Sequence, residues 1–407
     1  MKKRTFIAML VAAIALSGCD RQSTIRYFND VEDASVDNIS ENTETVDSEQ
    51  METETAEEIY SGPSVHLIMV GDVLLHMPVQ ESCHSEDGSY DFSSLFVNVK
   101  DDVQQADLAL VNQEVIIGGE ELGVSGYPCF NAPYEAADAL ADTGFDMILH
   151  ATNHAMDQGK KGIINCLDYW ESNYSGIPIL GINKSQEDQD TIQIFGKNGI
   201  RIAVLNYTYG LNGIALPADM PYAVNLLDEE KVVKDIRAAK AESDFVVVCP
   251  HWGTEYSLQP DSMQEKWTKI FAKNGVDLVI GTHPHVIEPV EWVEDEESGH
   301  RMLVYDSLGN FVNWTSSSGE GIANRMVGGM ADVIIGLDEN GEGFIADYGV
   351  NALVTQVEPG YGGVTTYYLK DYTEQMAGKN AIIEQDANFS REYCVNLCNT
   401  IWGDLWQ

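Results

Sequence analysis

Short apolar runs rich in β-branched residues recur along the chain, and many of them stop at a cluster of polar side chains. Each run has the length and composition that predict a buried strand. The runs cover residues 66–70, 107–111, 146–149, 201–205, 244–249, 277–280 and 301–305. Between them, amphipathic stretches predict helices over residues 132–143, 160–174, 229–243 and 261–274. This alternation predicts an α/β fold whose strands are largely parallel and covered by helices.

The pattern changes after residue 311. Turn sequences such as Asp338-Glu339-Asn340-Gly341 separate short strand-like runs, which predicts antiparallel strands. These runs cover residues 330–337, 343–348, 352–358 and 365–369. We expect them to form a second sheet that packs within one domain of residues 63–372, and we expect residues 373–407 to form a helical tail.

The N-terminus carries the pattern of an export signal. Residues 1–19 combine a basic start with an apolar run that is too short to span a membrane. The run ends in Leu-Ser-Gly-Cys, which resembles a bacterial lipobox, so we expect Cys19 to be lipidated. The alternative is an ordinary cleaved signal followed by a chance cysteine. Residues 20–62 hold 13 acidic and two basic residues and few apolar ones, which predicts a flexible acidic tether.

These features predict a lipoprotein on the outer face of the bacterial cell membrane. The net charge limits the kinds of partner that the protein can bind. The chain has 65 acidic and 23 basic residues, which give a formal net charge of −42. Nucleic-acid binding through a basic surface is therefore excluded, since phosphate contacts need clustered lysine and arginine. Residues 63–407 carry 52 acidic and 18 basic residues, and such a body attracts cations.

The polar clusters that follow the apolar runs supply the candidate chemistry. The carboxyl ends of strands line the ligand crevice in open α/β sheets, so we expect these clusters to converge. A mixed imidazole and carboxylate set suits one or two ions of Mn, Zn or Fe, and a metal pair can activate water in a displacement reaction. The clusters contain Asp72, His76, Asn112, Glu114, Asn153, His154, Asp157, His251, Glu255, His283 and His285.

Other common kinds of site lack support in the sequence. No Gly-x-Ser-x-Gly elbow surrounds Ser307, which disfavours serine catalysis. No phosphate-binding GxxxxGK[ST] loop is present, and no predicted strand leads into a GxGxxG turn, so nucleotide cofactors are disfavoured. Cys83 and Cys129 fall in predicted loops and could pair, but the sequence leaves the disulfide pairing open.

The clusters also carry a family resemblance. The chain resembles the capsule-synthesis CapA family, the poly-γ-glutamate biosynthesis proteins related to calcineurin-like metallophosphoesterases. The resemblance implies a four-layer αββα sandwich of the metallophosphoesterase type. It covers residues 65–311, and the matching blocks are Gly71-Asp72 with His76, Asn112-Gln113-Glu114, the segment from Asn153 to Gly159, the segment from His251 to Tyr256, the segment from Gly281 to His285, and the segment from Ser307 to Phe311.

The resemblance also implies roles for individual residues. Asp72 and His76 look like the first metal-binding block, and Glu114 or Asn112 stands where the superfamily usually has a bridging aspartate. His154 resembles the histidine that protonates a leaving oxygen, and Asp157 and Glu255 are further catalytic candidates. The remaining ligands by resemblance are Asn153, His251, His283 and His285. The chain departs from the superfamily in the longer Asp72-x-x-x-His76 spacing and in having Asn-Gln-Glu in place of Gly-Asp-x-x-Asp.

Three functions remain open at this point. The first is a metal-dependent hydrolase or transferase that acts on poly-γ-glutamate or another envelope polymer, with a phosphoesterase as a variant of it. The second is a non-catalytic subunit that binds and exports the polymer together with membrane synthase subunits. The third is a generic anchored protein that binds a small ligand. The net negative charge should repel polyglutamate unless a metal or a local basic group bridges them.

Overall fold

The computed structural model describes residues 11–12, 23–28, 60–314 and 317–406, and these contain two β-sheets with helices on their outer faces. The strands are β1 (Val11–Ala12), β2 (Thr24–Phe28), β3 (Ser64–Val73), β4 (Leu108–Gln113), β5 (Met147–Leu149), β6 (Ile179–Leu180), β7 (Thr191–Lys197), β8 (Ile200–Thr208), β9 (Phe245–His251), β10 (Leu278–Ile280), β11 (Val290–Glu294), β12 (Arg301–Tyr305), β13 (Asn310–Val312), β14 (Val327–Leu337), β15 (Gly343–Val357) and β16 (Val364–Tyr368).

The α-helices are α1 (Met77–Ser82), α2 (Lys100–Gln105), α3 (Glu135–Thr143), α4 (Gly159–Asn173), α5 (Gln186–Gln189), α6 (Glu229–Glu242), α7 (Ser262–Lys273), α8 (Glu374–Ala377) and α9 (Arg391–Trp402). Short 3₁₀ helices span Ser93–Leu95, Glu120–Leu122, Ile322–Met326, Pro359–Tyr361 and Ala381–Glu384. Within the described part of the chain, no helix has both the length and the apolar character needed to cross a membrane.

The first sheet has the strand order β1-β2-β7-β8-β9-β10-β12-β11, and the second has the order β16-β15-β14-β3-β4-β5-β6 with β13 also paired to β3. The neighbouring strands from β3 to β6 are parallel, as are those from β8 through β10 to β12. The predicted parallel strands are therefore divided between the two sheets. This division positions the site, because both sheets contribute carboxyl ends of parallel strands to it.

From the sequence we expected the antiparallel strands to form a sheet of their own. In the structure they join the sheet that contains β3 instead. β14 pairs with β3 in the register Met330↔Val70, and β15 and β16 extend the sheet from there. An alternating pattern predicts which side chains share a face of a strand, but it does not specify the neighbouring strand. The expectation of two sheets is confirmed, and the assignment of strands to them is corrected.

Alternating burial along β9 shows the four-layer arrangement. Val246 and Val248 pack in a cluster with the apolar faces of α6 and α7, while Val247 and Cys249 belong to the larger core that includes the second sheet. The two sheets touch directly, since Cys249 Sγ lies 3.7 Å from Met69 Sδ of β3. Buried residues of α3 and α4 join the same large core. The predicted αββα sandwich is confirmed by this order of layers.

Part of the predicted tether is structured. β2 pairs in parallel with β7 from Thr24↔Thr191 to Phe28↔Phe195, and the Phe28 and Phe195 rings meet at 5.3 Å between centroids. The expectation of a flexible segment is wrong for Thr24–Phe28. This short run contains β-forming residues and pairs with the edge that β7 would otherwise leave open. Cys19, its proposed lipidation and residues 29–59 lie outside the described residues, and of the predicted signal only Val11–Ala12 is described.

The C-terminal segment packs against the domain. α9 buries Cys394, Leu397 and Trp402, and the Trp402 indole N–H donates to the backbone oxygen of Glu288 at 3.0 Å. Cys83 and Cys129 are both free thiols, so the pairing that the sequence left open does not form here.

Beneath α7 lies a buried pair of carboxyl groups. Gln264 donates to one oxygen of Glu288 at 2.6 Å, while the other oxygen of Glu288 and one oxygen of Asp306 have no hydrogen-bond partner. Burial raises the pKa of Glu288 to about 8, with Asp306 adding to the rise, and burial raises the pKa of Asp306 to about 7. The folded protein therefore holds protons on these groups at pH values where the unfolded chain releases them.

We expect the unfolding free energy to fall between about pH 4.5 and pH 8, because unfolding releases the protons held by this pair. Glu288→Gln should reduce the slope by up to about 1.4 kcal/mol per pH unit, the value for one proton. Urea unfolding of both proteins at a series of pH values measures this difference. Equal slopes in the two proteins would show that Glu288 does not titrate in this range.

Candidate metal centre

Polar residues from both sheets meet at the carboxyl ends of parallel strands. Asp72 lies near the end of β3, Asn112 near the end of β4, and His251 is the last residue of β9. His283 and His285 follow in the loop after β10. All five side chains are buried. The convergence expected from the sequence is thus realised, and it needs both sheets.

Asp72 connects the two halves of the cluster. Its Oδ1 accepts a hydrogen bond from Asn112 Nδ2 at 2.8 Å, and its Oδ2 accepts one from the backbone N–H of His283 at 3.1 Å. The same Oδ2 lies 3.3 Å from Nδ1 of His285. These contacts fix the carboxylate between residues of β3, β4 and the loop after β10.

The ring of His251 is held on both sides. Its Nδ1 lies 3.0 Å from the hydroxyl of Thr282, and its Nε2 lies 2.9 Å from Oδ1 of Asn153. Oε1 of Glu114 is 3.8 Å from that Nε2 and 3.7 Å from Nε2 of His285. Glu114, which directly follows β4, therefore stands between two imidazoles.

Several buried polar atoms in this cluster lack a hydrogen-bond partner. They include Oδ1 of Asn112, both carboxylate oxygens of Glu114 and Nδ1 of His283. Buried polar atoms without partners cost free energy, so four of them in one cluster are what a bound cation would resolve. Ligand atoms lie within 4.8 Å of one another in three overlapping groups, namely Glu114 with His251 and His283, Glu255 with His283 and His285, and Asp72 with Glu114 and His285.

The donor set fits divalent metal ions. Imidazole together with carboxylate is the ligand chemistry of Zn, Mn and Fe, and the three groups overlap because they share Glu114, His283 and His285. Glu255 joins one group although its side chain is exposed, which places it at the solvent side of the cluster.

Protonation in the cluster follows burial and neighbouring charge. Burial lowers the pKa of His251 and of His283 well below the usual value, and neighbouring histidines add to the effect, so both rings are neutral and able to bind metal. Burial raises the pKa of Glu114 well above its usual range, although His285 opposes the rise. Burial would lower the pKa of His285, but Glu114 and Asp72 outweigh it and raise that pKa to about 9.

Backbone strain is concentrated around the same residues. In the described part of the chain, five non-glycine residues have positive φ, and Tyr256, His283 and His285 are three of them, at 66°, 101° and 59°. A fourth, Asn212, contacts His154. Such conformations are strained and persist only where the surrounding structure holds them in place. They occur most often at functional sites.

His154 and Asp157 form a hydrogen-bonded pair beside the cluster. His154 Nδ1 lies 2.7 Å from Asp157 Oδ2, and the same oxygen accepts the backbone N–H of Phe130 at 2.7 Å. On the other side of the ring, Nε2 lies 3.5 Å from Nδ2 of Asn212. Asp157 thus orients the imidazole and directs Nε2 away from itself, as a proton-transferring histidine requires.

The structure does not bring every predicted ligand into the three groups. His76 occupies the N-cap position of α1 without a side-chain capping hydrogen bond. Its ring packs edge-on against Phe130 at 5.0 Å, and it belongs to none of the three groups. Burial lowers the pKa of His76 to about 4, and His285 contributes to that shift. Asn112 and Asn153 touch the cluster through Asp72 and His251.

Sequence reasoning missed several residues that support the site. Thr282 contacts His251, and Asn310 holds the ring of His285 with Oδ1 3.1 Å from Nδ1. Both lie within motifs that the family resemblance had singled out, so their position was the available signal. Asn212, which contacts His154, lies in a loop after β8 where the sequence gives no comparable signal.

Comparison with known families identifies the protein's relatives. Residues 66–315 match the family model described as bacterial capsule synthesis protein PGA_cap, which is more than half of the chain. The chain belongs to this family. Asp72, Glu114, His154, His251 and His285 all fall inside the matched residues.

Two curated proteins are similar to this PGA_cap chain over about half their own length. The PGA biosynthesis protein CapA of Bacillus subtilis (strain 168) is 34% identical over 186 residues, covering 44% of this chain and 47% of that protein. The capsule biosynthesis protein CapA of Bacillus anthracis is 28% identical over 193 residues, covering 46% of this chain and 45% of that protein.

Solved structures with similar folds include the NAD nucleotidase NadN of Haemophilus influenzae, with a TM-score of 0.43, 12% identity, and coverage of 85% of this chain and 64% of that chain. A putative 5′-nucleotidase from Staphylococcus aureus gives a TM-score of 0.44, 17% identity, and coverage of 70% and 54%. Because both TM-scores are low, these structures do not assign the fold of this PGA_cap chain. The assignment rests on the sheets and layers of the chain itself.

Proposed function

We propose that this PGA_cap protein is a metal-dependent hydrolase or transferase of the bacterial cell envelope that acts on a capsule polymer such as poly-γ-glutamate. The observation that carries the proposal is the buried cluster around Glu114, whose unpartnered polar atoms suit a metal, next to the oriented His154–Asp157 pair. The PGA biosynthesis protein similar to this chain supports the choice of polymer.

The roles of the residues follow from their positions. Asp72, Glu114, His251, His283 and His285 would hold one or two ions of Mn, Zn or Fe, with Glu255 at the solvent side. When bound, such a metal supplies Lewis-acid polarisation of the scissile group and a more acidic water. His154 exchanges a proton at Nε2 with the attacking or leaving group, while Asp157 holds its Nδ1.

The cellular setting is part of the same proposal. The lipobox-like sequence at Cys19 supports a lipid anchor on the outer face of the cell membrane. Membrane subunits of a polymer synthase are proposed as its partners, because such a polymer would be made at the same membrane. Because β2 begins five residues after Cys19 and pairs with β7, an anchor at Cys19 would hold this sheet edge close to the membrane.

The test is metal analysis joined to an activity assay. We expect purified protein to contain Mn, Zn or Fe and to cleave or transfer γ-glutamyl polymer, and we expect His283→Asn to lose metal and activity together. His84→Asn, which changes an exposed histidine outside the cluster, is the matched control and should keep both. If metal-loaded protein turns over phosphoesters and not γ-glutamyl polymer, the proposed substrate changes to a phosphoester. If metal-loaded protein is inert on both, the function as a non-catalytic export subunit is favoured.

A further inference from the structure

Two exposed tyrosine side chains pack on histidines of the metal cluster, and a third lies near His154, on the far side of Phe130. In the described part of the chain the exposed large apolar side chains are Val97, Tyr127, Tyr209, Tyr256 and Trp292. Tyr209 packs on His283 with ring centroids 4.6 Å apart, and Tyr256 packs on His285 at 6.0 Å. Tyr127 contacts Phe130, which in turn packs against His76 and His154. We call Tyr127, Tyr209 and Tyr256 the tyrosine rim.

The rim points to a ligand surface because its members come from separate parts of the sequence. Tyr127 precedes α3, Tyr209 follows β8, and Tyr256 follows β9. Single exposed aromatic residues are normal on a protein surface, but three that converge on one cluster form an apolar border. Tyr209 and Tyr256 contact different histidines of the ligand groups, and Tyr127 lies farther out on Phe130, so the rim extends away from the cluster as an extended ligand would require.

Arg325 adds a positive charge to this border. Its guanidinium carbon lies 3.5 Å from the centre of the Tyr256 ring, which is a close cation–π contact. Asn310 connects it to the cluster, since Nδ2 of Asn310 donates to the backbone oxygen of Arg325 at 3.0 Å and Oδ1 lies 3.1 Å from His285 Nδ1. Its charge acts on both His76 and Glu255.

In the part of the chain that the structure describes, Arg325 forms no ion pair with a carboxylate, although Glu255 is close enough to raise its pKa through its charge. Among the described residues Arg237 on α6 also forms no ion pair, so Arg325 is distinguished by its half-buried position next to the cluster. Burial lowers the pKa of Arg325 from its usual value, so its charge is partly desolvated. A guanidinium in this state binds an anion more strongly than one fully in water, and its fork matches a carboxylate.

We propose that Arg325, held against Tyr256, binds a carboxylate of the substrate next to the metal cluster, while the tyrosine rim packs on the apolar part of the substrate chain. This inference rests on the proposed function and deepens it, because it selects a linear polymer that carries carboxylate side groups. The scissile group binds at the metal ligands, so the anion at Arg325 is a neighbouring group on the same chain. Arg325 is also the local basic group that offsets repulsion by the acidic surface.

The test compares Arg325→Met with Arg237→Met in metal-loaded protein. Both variants remove one positive charge, but Arg237 lies exposed on α6 at the outer face of the first sheet. With a defined γ-glutamyl oligomer as probe, Arg325→Met should raise Kd and KM about 10- to 100-fold, the range for losing a charge-assisted bidentate pair. Arg237→Met should change neither, and the metal content of both should match the wild type.

A second probe separates anion recognition from general packing. The same oligomer with its carboxylates converted to amides should bind the wild type and Arg325→Met equally weakly. Arg325→Lys should recover part of the affinity, because lysine restores the charge but not the fork.

The outcomes also separate this inference from the proposed function. If Arg325→Met binds the γ-glutamyl oligomer like the wild type while His283→Asn loses turnover, the role of Arg325 is refuted and the proposed function stands. If the wild type binds neither oligomer, both are refuted. If a phosphodiester oligomer alone shows the dependence on Arg325, the carboxylate assignment is overturned.

Discussion

Glu114→Gln is expected to abolish tight metal binding and, at the same time, to stabilise the metal-free protein at neutral and alkaline pH. The two effects have one cause. Both carboxylate oxygens of Glu114 are buried without a hydrogen-bond partner, and burial raises the pKa of this group well above its usual range. The charge that binds the metal is therefore costly when the metal is absent.

The sign of the pH dependence follows from the raised pKa. The folded, metal-free protein holds a proton on Glu114 at pH values where the unfolded chain has released it, so its stability falls as pH rises above about 4.5. A glutamine cannot titrate, and the variant lacks this loss. The stability difference should be small near pH 5 and grow by up to about 1.4 kcal/mol per pH unit above that.

Urea unfolding in the presence of a chelator measures the stability of the metal-free protein, and titration with Mn or Zn measures the metal affinity. Loss of a metal-binding carboxylate should weaken affinity by more than about 100-fold, since even residues behind the ligands cost 10- to 100-fold. Glu255→Gln is the matched control, because Glu255 also belongs to a ligand group but is exposed. It should weaken metal binding without stabilising the metal-free protein. A destabilised Glu114→Gln protein that still binds metal tightly would contradict this account.

His154→Ala is expected to lower kcat on the polymer substrate by about 10²- to 10⁴-fold while leaving metal content unchanged. The imidazole sits beside the ligand groups and not within them, and its Nδ1 is held by Asp157 at 2.7 Å. Removing the ring removes proton transfer but not a metal ligand. Single-turnover assays with metal-loaded protein, together with elemental analysis, measure both quantities.

Asp157→Asn tests the same proton-transfer role of His154 through the residue that orients its ring. The oxygen that faces His154 also accepts the backbone N–H of Phe130 at 2.7 Å, so an asparagine with its amide oxygen in this place keeps both contacts but lacks the negative charge that stabilises a protonated His154. We expect a smaller loss of kcat than in His154→Ala, and no further loss when the two changes are combined, because both act on one proton-transfer unit. Additive losses would show that the two residues act separately.

The sequence predicted much of the site because the relevant signals are local. A buried strand has an apolar run, and the polar residues that end it are adjacent in sequence, so Asp72, Glu114, His251, His283 and His285 could be selected one strand at a time. The family resemblance then joined them in order. No such signal marked Arg325, since it lies in a 3₁₀ helix outside the apolar runs. Its proposed role depends on its contact with Tyr256, which is 69 positions earlier in the chain.

By itself, the sequence determined many of the strands and helices, the two-sheet α/β architecture, and the residues that could bind metal, because periodicity and strand-end chemistry are properties of neighbouring residues. Only the tertiary structure decided how the strands divide between the sheets, that Thr24–Phe28 adds to an edge, and that His76 packs on Phe130 outside the ligand groups. These depend on partners distant in the chain, and hydrophobic pattern specifies the face a residue occupies without specifying what covers it.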